Sequence, residues 1–228
     1  MELNIFLNVD CMEYMKTVPD KYFELAIVDP PYGINYDSDD GLASKGKVKR
    51  QNGTYGTIKR KLHTKKNWDN ETPNEDYFKE LFRVSKNQII WGGNYFTLPP
   101  TKGIICWDKK QMFPTFSRWE YAWTSFDCVA RLFEYDNKGF MCKDGVKIHP
   151  TQKPIKLYKW LLKQFAKMGD RILDTHVGSG SSLIACKELG FDYVGCEIDH
   201  DYFEAAQKRI NKSFRKYELF EGDKDTIR

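Results

Sequence analysis

The sequence predicts an α/β fold on a mostly parallel sheet, and three observations carry that prediction. Short apolar runs alternate with amphipathic stretches along most of the 228 residues, as in successive βα units. One run leads into AIVDPPYGINY at 26–36, where an acid is followed by two prolines, a ring and a glycine. Another leads into RILDTHVGSGSS at 171–182, a strand-like run ending in an acid and a glycine turn. A chain of this length can form one substantial core and still carry a modest insertion.

Glu24–Val28 is the first predicted strand, an apolar run closed by Asp29 and the prolines. A helix is predicted over Asn74–Val84, then strands over Gln88–Trp91, Ile104–Trp107 and Asp127–Phe133. The helix over Pro154–Met168 is the best signed. Proline occupies its first turn, and Ile155, Tyr158, Leu161, Leu162 and Phe165 share one face at the 3.6-residue period. Arg171–Asp174 is a strand, Ser181–Leu189 a helix capped by Gly190, and Asp192–Cys196 a strand that delivers Glu197. The last helix, Asp201–Phe214, opens on Asp201 and Glu204 and carries Lys208 and Arg209 nearer its end, matching the helix dipole. No internal repeat is visible. The reading is one domain over 1–228 with a basic insertion at 36–72.

Composition narrows the class. The 41% apolar fraction and six tryptophans suit a soluble globular protein. No run approaches the roughly 18 apolar residues of a membrane span. The opening MELNIFLNVDCMEYM lacks the basic region of a signal peptide. Six cysteines, at 11, 106, 128, 142, 186 and 196, include no CxxC pair, and the four histidines have no metal-ligand spacing. Reduced core cysteines in a cytoplasmic protein without a metal are expected. High Lys, Asn and Ile usage fits a bacterial or phage coding sequence.

Charge is unevenly placed. Residues 41–68 hold Lys45, Lys47, Lys49, Arg50, Lys59, Arg60, Lys61, Lys65 and Lys66 and no acid, so this segment is +9 while the other 200 residues sum to −5. A Gly-, Lys- and Thr-rich stretch of this kind cannot bury itself. A field this one-sided on a near-neutral body suits phosphates, although a solubilising loop would have the same composition.

At 171–199 a strand ends at Asp174, glycines follow at 178 and 180, and an acid stands at 197 after the next strand. Glycine at such a turn lets backbone approach a ligand, and an acid about 20 residues on suits ribose hydroxyls. A nucleoside-bearing cofactor is implied. The loop lacks the GxGxxG spacing of dinucleotide folds, and no GKS or GKT marks a P-loop. His176, lying in the loop with Thr175, reads first as a wall residue.

These stretches together resemble the DNA amino-methyltransferases that use S-adenosylmethionine. Asp29-Pro30-Pro31-Tyr32 is similar to their catalytic motif, 174–181 (DTHVGSGS) to their cofactor loop, and His149–Pro154 (HPTQKP) to the stretch leading into the helix before that loop. The catalytic motif comes first and the cofactor loop late, as in the permuted beta class. The resemblance spans about Leu3 to Phe214. It implies a Rossmann-like methyltransferase fold, circularly permuted, with a mostly parallel seven-stranded sheet flanked by helices.

It also implies roles. Asp29 and the Pro30 carbonyl would accept the two N–H groups of an exocyclic amine, stabilising charge as nitrogen attacks a sulfonium methyl. The two prolines hold these acceptors in a narrow geometry. Tyr32 would stack on a base flipped from the duplex. Asp10, Asp29, Lys153 (with Thr151), Asp174, His176, Gly178, Ser179, Gly180, Ser181 and Glu197 would line the cofactor, with Asp10 on its adenine amine, Lys153 near its methionine end and Glu197 on its ribose. For Asp10 a helix N-cap is the competing reading, and for Lys153 a solvent-facing one. Thr175-His176 departs from the family's usual Pro-Phe or Pro-Cys.

An Asp in first position of the motif favours adenine N6, since cytosine-N4 members more often carry Ser. Cytosine N4, structured RNA and an inactive DNA-binding relative are the alternatives. Arg50, Lys59, Arg60 and Lys61 are expected to grip double-stranded DNA. The segment 133–148 is where this motif order usually places target recognition, and the aromatic run from Trp107 is expected to line the base pocket or groove face, with several of its rings in the core. The resemblance further suggests a homodimer and a restriction-modification or phage setting.

Overall fold

The computed structural model describes residues 1–34, 47–49, 55–57, 68–110, 117–136 and 147–222. The chain divides into two compact units, Met1–Pro30 with Pro73–Arg228, and Pro31–Thr72.

The larger unit is organised by one eight-stranded mixed sheet in the order β1-β10-β9-β2-β5-β7-β6-β8. The strands are β1 (Ile5–Leu7), β2 (Phe23–Val28), β5 (Ser85–Trp91), β6 (Ile104–Asp108), β7 (Trp119–Thr124), β8 (Arg131–Glu134), β9 (Arg171–Asp174) and β10 (Asp192–Cys196). Among the described residues this corrects the count of seven strands expected from sequence. β7 runs antiparallel to both its neighbours, β5 and β6, while the other pairings are parallel.

The strand alternation divides the core into two layers. Leu25, Ile27, Ile89 and Trp91 pack on one face with Leu157, Leu161, Leu183 and Ile210 from three helices: α3 (Ile155–Phe165), α4 (Ser181–Leu189) and α5 (His200–Gly222). Ala26, Val28 and Ile90 pack on the other with Met15 of α1 (Cys11–Lys16) and Tyr77, Phe78 and Leu81 of α2 (Glu75–Val84). Central strands buried on both faces read as continuous apolar runs, as FELAIV does. Each buried Leu or Ile contributes about 1.5–3 kcal/mol, so the sheet is the main source of stability.

Some helix ends follow the sequence, while α3 stops at Phe165, short of the expected Met168, and α5 spans His200–Gly222 where Asp201–Phe214 was expected. Asn74 caps α2 by accepting from Tyr77 N at 3.1 Å, Gly190 ends α4 at φ +76°, and Pro154 precedes α3. Asp10 caps α1, accepting from Met12 N at 2.7 Å. Two strands of this sheet escape the sequence reading. β1 has only three residues, and β7 lies in the aromatic stretch read as a pocket wall. The strand expected over Asp127–Phe133 forms only at Arg131–Glu134, because the chain first turns at 126–128, where Cys128 N donates to Phe126 O. Among the described residues no helix is long and apolar enough to cross a membrane.

In the second unit β3 (Lys47–Lys49) and β4 (Tyr55–Thr57) pair antiparallel. Its first residues are pinned by Asp69, whose Oδ1 accepts from Tyr32 N at 2.7 Å and Gly33 N at 3.0 Å. Arg50, Lys59, Arg60 and Lys61 lie outside the described residues, as do positions 137–146 of the expected recognition segment.

Candidate active site

Strand order decides where the two motifs meet. From β2 the chain passes through α2 to β5 on one side, and from β9 it passes through α4 to β10 on the other. β2 and β9 are themselves parallel neighbours, with Leu25 opposite Ile172 and Ala26 opposite Leu173. Their outgoing loops therefore diverge, and the crevice at their carboxyl ends is a topological switch point. β2 delivers Asp29 and Pro30 to it, and β9 delivers Asp174 through Gly180. The parallel β1 and β10 bring Asp10 and Glu197 to the same edge.

The glycine turn is fixed from both sides. Asp174 is buried; its Oδ1 accepts from His176 N at 3.0 Å and its Oδ2 accepts from the Ser182 hydroxyl. Burial, the largest influence, raises its carboxyl to about 7 despite those bonds. Glu197 accepts from Gly178 N at 2.8 Å through Oε2 and from Asp199 N at 2.9 Å through Oε1. The acid expected on a ribose thus also shapes the turn that faces it; a carboxylate has lone pairs for both.

Gly180 is required twice over. Its φ is +78°, and a Cβ there would lie 2.8 Å from Ile210 Cγ1. Gly178, at φ +52°, would meet only the His149 ring at 3.6 Å, so backbone conformation alone demands it. Ser179 and Ser181 are buried, and their hydroxyls lie 3.2 Å apart. Arg209 of α5 donates to Ser179 O at 2.6 Å and Ser181 Oγ at 2.9 Å. These serines tie the loop to α5.

The solvent-facing reading of Lys153 does not hold. Lys153 is 3% exposed, and its ammonium pairs with Asp29 Oδ2 and with Glu120 Oε2 at 3.3 Å, 5.2 Å above the Trp91 ring. It neither faces solvent nor stands apart from the catalytic motif. Glu120 also pairs with Lys109. Burial would raise the Glu120 carboxyl most, but Lys153 and Lys109 together pull it down to about 2. Glu120 is the residue the sequence reading missed. The signal was available in the alternation of WEYAWT, which puts Glu120 on the same sheet face as Ala122 and the α3 core.

Asp10 uses Oδ1 to cap α1, the competing reading of its role. Beside it Asn8 donates to Glu197 O at 2.8 Å, joining the β1 and β10 loops. Two apolar side chains, Val9 at 37% and Ile198 at 66%, are left exposed next to these acids. Acids for hydroxyls, glycine backbone and bare apolar surface suit a nucleoside-bearing ligand. Among the described residues no three His, Cys, Asp or Glu side chains group as a metal site. Tyr32 belongs to the second unit.

Comparison with known proteins agrees with this arrangement. Residues 43–208 match the DNA methylase (N6_N4_Mtase) family model. The type II methyltransferase M.HinfI of Haemophilus influenzae is 24% identical over 92% of this chain and 69% of its own. The M1.HpyAVI–SAM complex shares the fold at TM-score 0.55, 18% identity and coverage of 90% and 98% of the two chains. The cytosine-N4-specific PvuII DNA methyltransferase does so at 0.56, 12% identity and 93% and 90% coverage. The fold and the family match over most of the chain lead to one assignment: this protein belongs to the DNA methylase family.

Proposed function

We propose that the chain transfers a methyl group from S-adenosylmethionine to the N6 amine of a flipped-out adenine in double-stranded DNA. The observation that carries this reading is the placement of Asp29 and the glycine turn at neighbouring strand ends on one switch point. The set of side chains fits that cofactor: Glu197 for ribose hydroxyls, Asp10 for an adenine amine, and Val9 and Ile198 for the flat apolar ring. M1.HpyAVI, which shares the fold, was solved as a SAM complex.

The cofactor supplies an electrophilic methyl group. What the chain supplies is acceptors. Asp29 and the Pro30 carbonyl take up the N–H groups of the amine, favour an out-of-ring lone pair and stabilise the positive charge that develops on nitrogen. Lys153 holds Asp29 by one oxygen and is itself held by Glu120, so the carboxylate enters the reaction already oriented. Tyr32 keeps its sequence-based role as the stacking ring, and Arg50, Lys59, Arg60 and Lys61 theirs as phosphate contacts.

Cytosine N4 is the second reading, favoured by the likeness to the PvuII enzyme; the aspartate at 29 favours adenine. Methylation-aware sequencing of DNA from cells expressing the protein reads both base and site. N6-methyladenine in a fixed sequence context is expected, and N4-methylcytosine would select the second reading. Asp29→Ala should abolish labelled-methyl transfer while cofactor binding persists; turnover retained in that variant would refute the assignment.

A further inference from the structure

The cofactor turn contains a hydrogen-bonded relay with a defined polarity. Tyr77, in the first turn of α2, is 3% exposed, and its hydroxyl lies 2.7 Å from Thr175 Oγ1. Thr175 is also buried, and the same Oγ1 lies 2.9 Å from His176 Nδ1. The Tyr77 and His176 rings meet edge to face at 5.4 Å.

The direction of each bond follows from what Tyr77 can do. Desolvation pushes its phenol well above the ordinary range, so it keeps its proton. Among the described residues that buried O–H has one partner, Thr175 Oγ1, and would be stranded if Thr175 donated to it instead. Tyr77 therefore donates to Thr175, and Thr175 passes its own hydrogen to His176 Nδ1. A ring nitrogen that accepts carries no proton. Burial holds the imidazole neutral, at about 4, against the pull of Asp10. Its proton must then lie on Nε2.

This leaves a neutral N–H donor, with no protein partner among the described residues, two positions before Gly178. We infer that His176 is a cofactor-positioning residue whose Nε2–H donates to an acceptor atom of the bound cofactor, with Tyr77 and Thr175 fixing the tautomer. The inference rests on the cofactor assignment made above. The acceptor is a lone pair on the nucleoside or on the amino-acid carboxylate. A ring serving only as a wall would need no such relay.

The test uses full-length protein labelled with 15N-histidine. Its four histidines are at 63, 149, 176 and 200, and a His176→Gln sample identifies the resonance. Long-range 1H–15N correlation should show the Nε2–H tautomer for His176, and adding S-adenosylhomocysteine should shift its Nε2–H proton. By calorimetry His176→Phe should weaken S-adenosylhomocysteine binding about tenfold. Tyr77→Phe keeps the imidazole but releases the tautomer, and should weaken binding about threefold. Methylthioadenosine, which lacks the carboxylate, separates the two acceptors. An equal loss for both ligands in His176→Phe points to the nucleoside, and a loss for S-adenosylhomocysteine alone points to the carboxylate. An Nδ1–H tautomer, or unchanged affinity for both ligands, overturns the inference while the cofactor assignment stands. Failure of the wild-type protein to bind either ligand overturns both.

Discussion

Lys153 and Asp29, 124 positions apart in the chain, form a buried ion pair, and Glu120 holds the same ammonium from the reversed strand β7. On the proposed function, the pair sets the Asp29 carboxylate before any substrate arrives. Removing the cation leaves two carboxylates facing each other in partly buried positions, so Lys153→Met should destabilise the protein by about 3 kcal/mol at pH 7.5. Urea titration checks this; an unchanged midpoint would show that the pair contributes nothing.

The two glycines of the turn should respond differently. Gly178→Ala makes only ordinary contact with the His149 ring at 3.6 Å and pays for its left-handed backbone, about 1–2 kcal/mol. Gly180→Ala adds a collision with Ile210, for a total of about 2–4 kcal/mol. Equal losses in urea would contradict the packing described here.

Glu197→Gln should separate shaping from binding. The amide keeps one acceptor oxygen, so either the Gly178 or the Asp199 N–H loses its partner. A stability loss of about 1 kcal/mol is expected, together with at least a tenfold weaker cofactor Kd. Calorimetric titration reads the second effect, and an unaltered Kd would remove Glu197 from the ribose site.

Glu24 on β2 holds Arg171 on β9 in a fork at 2.9 and 3.0 Å. Hydrogen bonds from Arg171 are the largest influence holding the Glu24 carboxyl at about 2, against an ordinary 4.5. A depressed acid stabilises the fold above its unfolded-state value, and that contribution is lost as pH falls from about 4.5 towards 2. After discounting for partial exposure it is about 2 kcal/mol. Thermal melts of wild type and Glu24→Gln should diverge at pH 6 and converge near pH 2.5.

If Arg50, Lys59, Arg60 and Lys61 contact phosphates, replacing all four by Ala should weaken DNA binding and flatten its dependence on log salt by about 3–4 units. Cofactor Kd should not change. Fluorescence anisotropy across a salt series reads the slope, and an unaltered slope would assign the basic stretch to solubility.

Local pattern made much of the larger unit legible. Arg171–Asp174, Ser181–Leu189 and Asp192–Cys196 form as read, because apolar runs, glycine caps and a 3.6-residue stripe are encoded within a few residues. β1 was invisible because three residues carry no period, and β7 because rings that suit a pocket also suit a strand. His176 was legible as a cofactor-lining residue and, with Thr175, as a departure from a motif; the partner of Thr175, Tyr77, lies 98 positions away.

The sequence by itself determined which groups are present: an acid locked by prolines, a glycine turn with its later acid, and a +9 segment. Tertiary structure decided which of them meet. Pairing of β2 with β9 puts Asp29 and the glycine turn at one switch point, and burial beneath them turns Lys153 into the partner of Asp29. The physical reason is that hydrophobic periodicity is local, whereas strand order and charge pairing depend on contacts between residues more than a hundred positions apart.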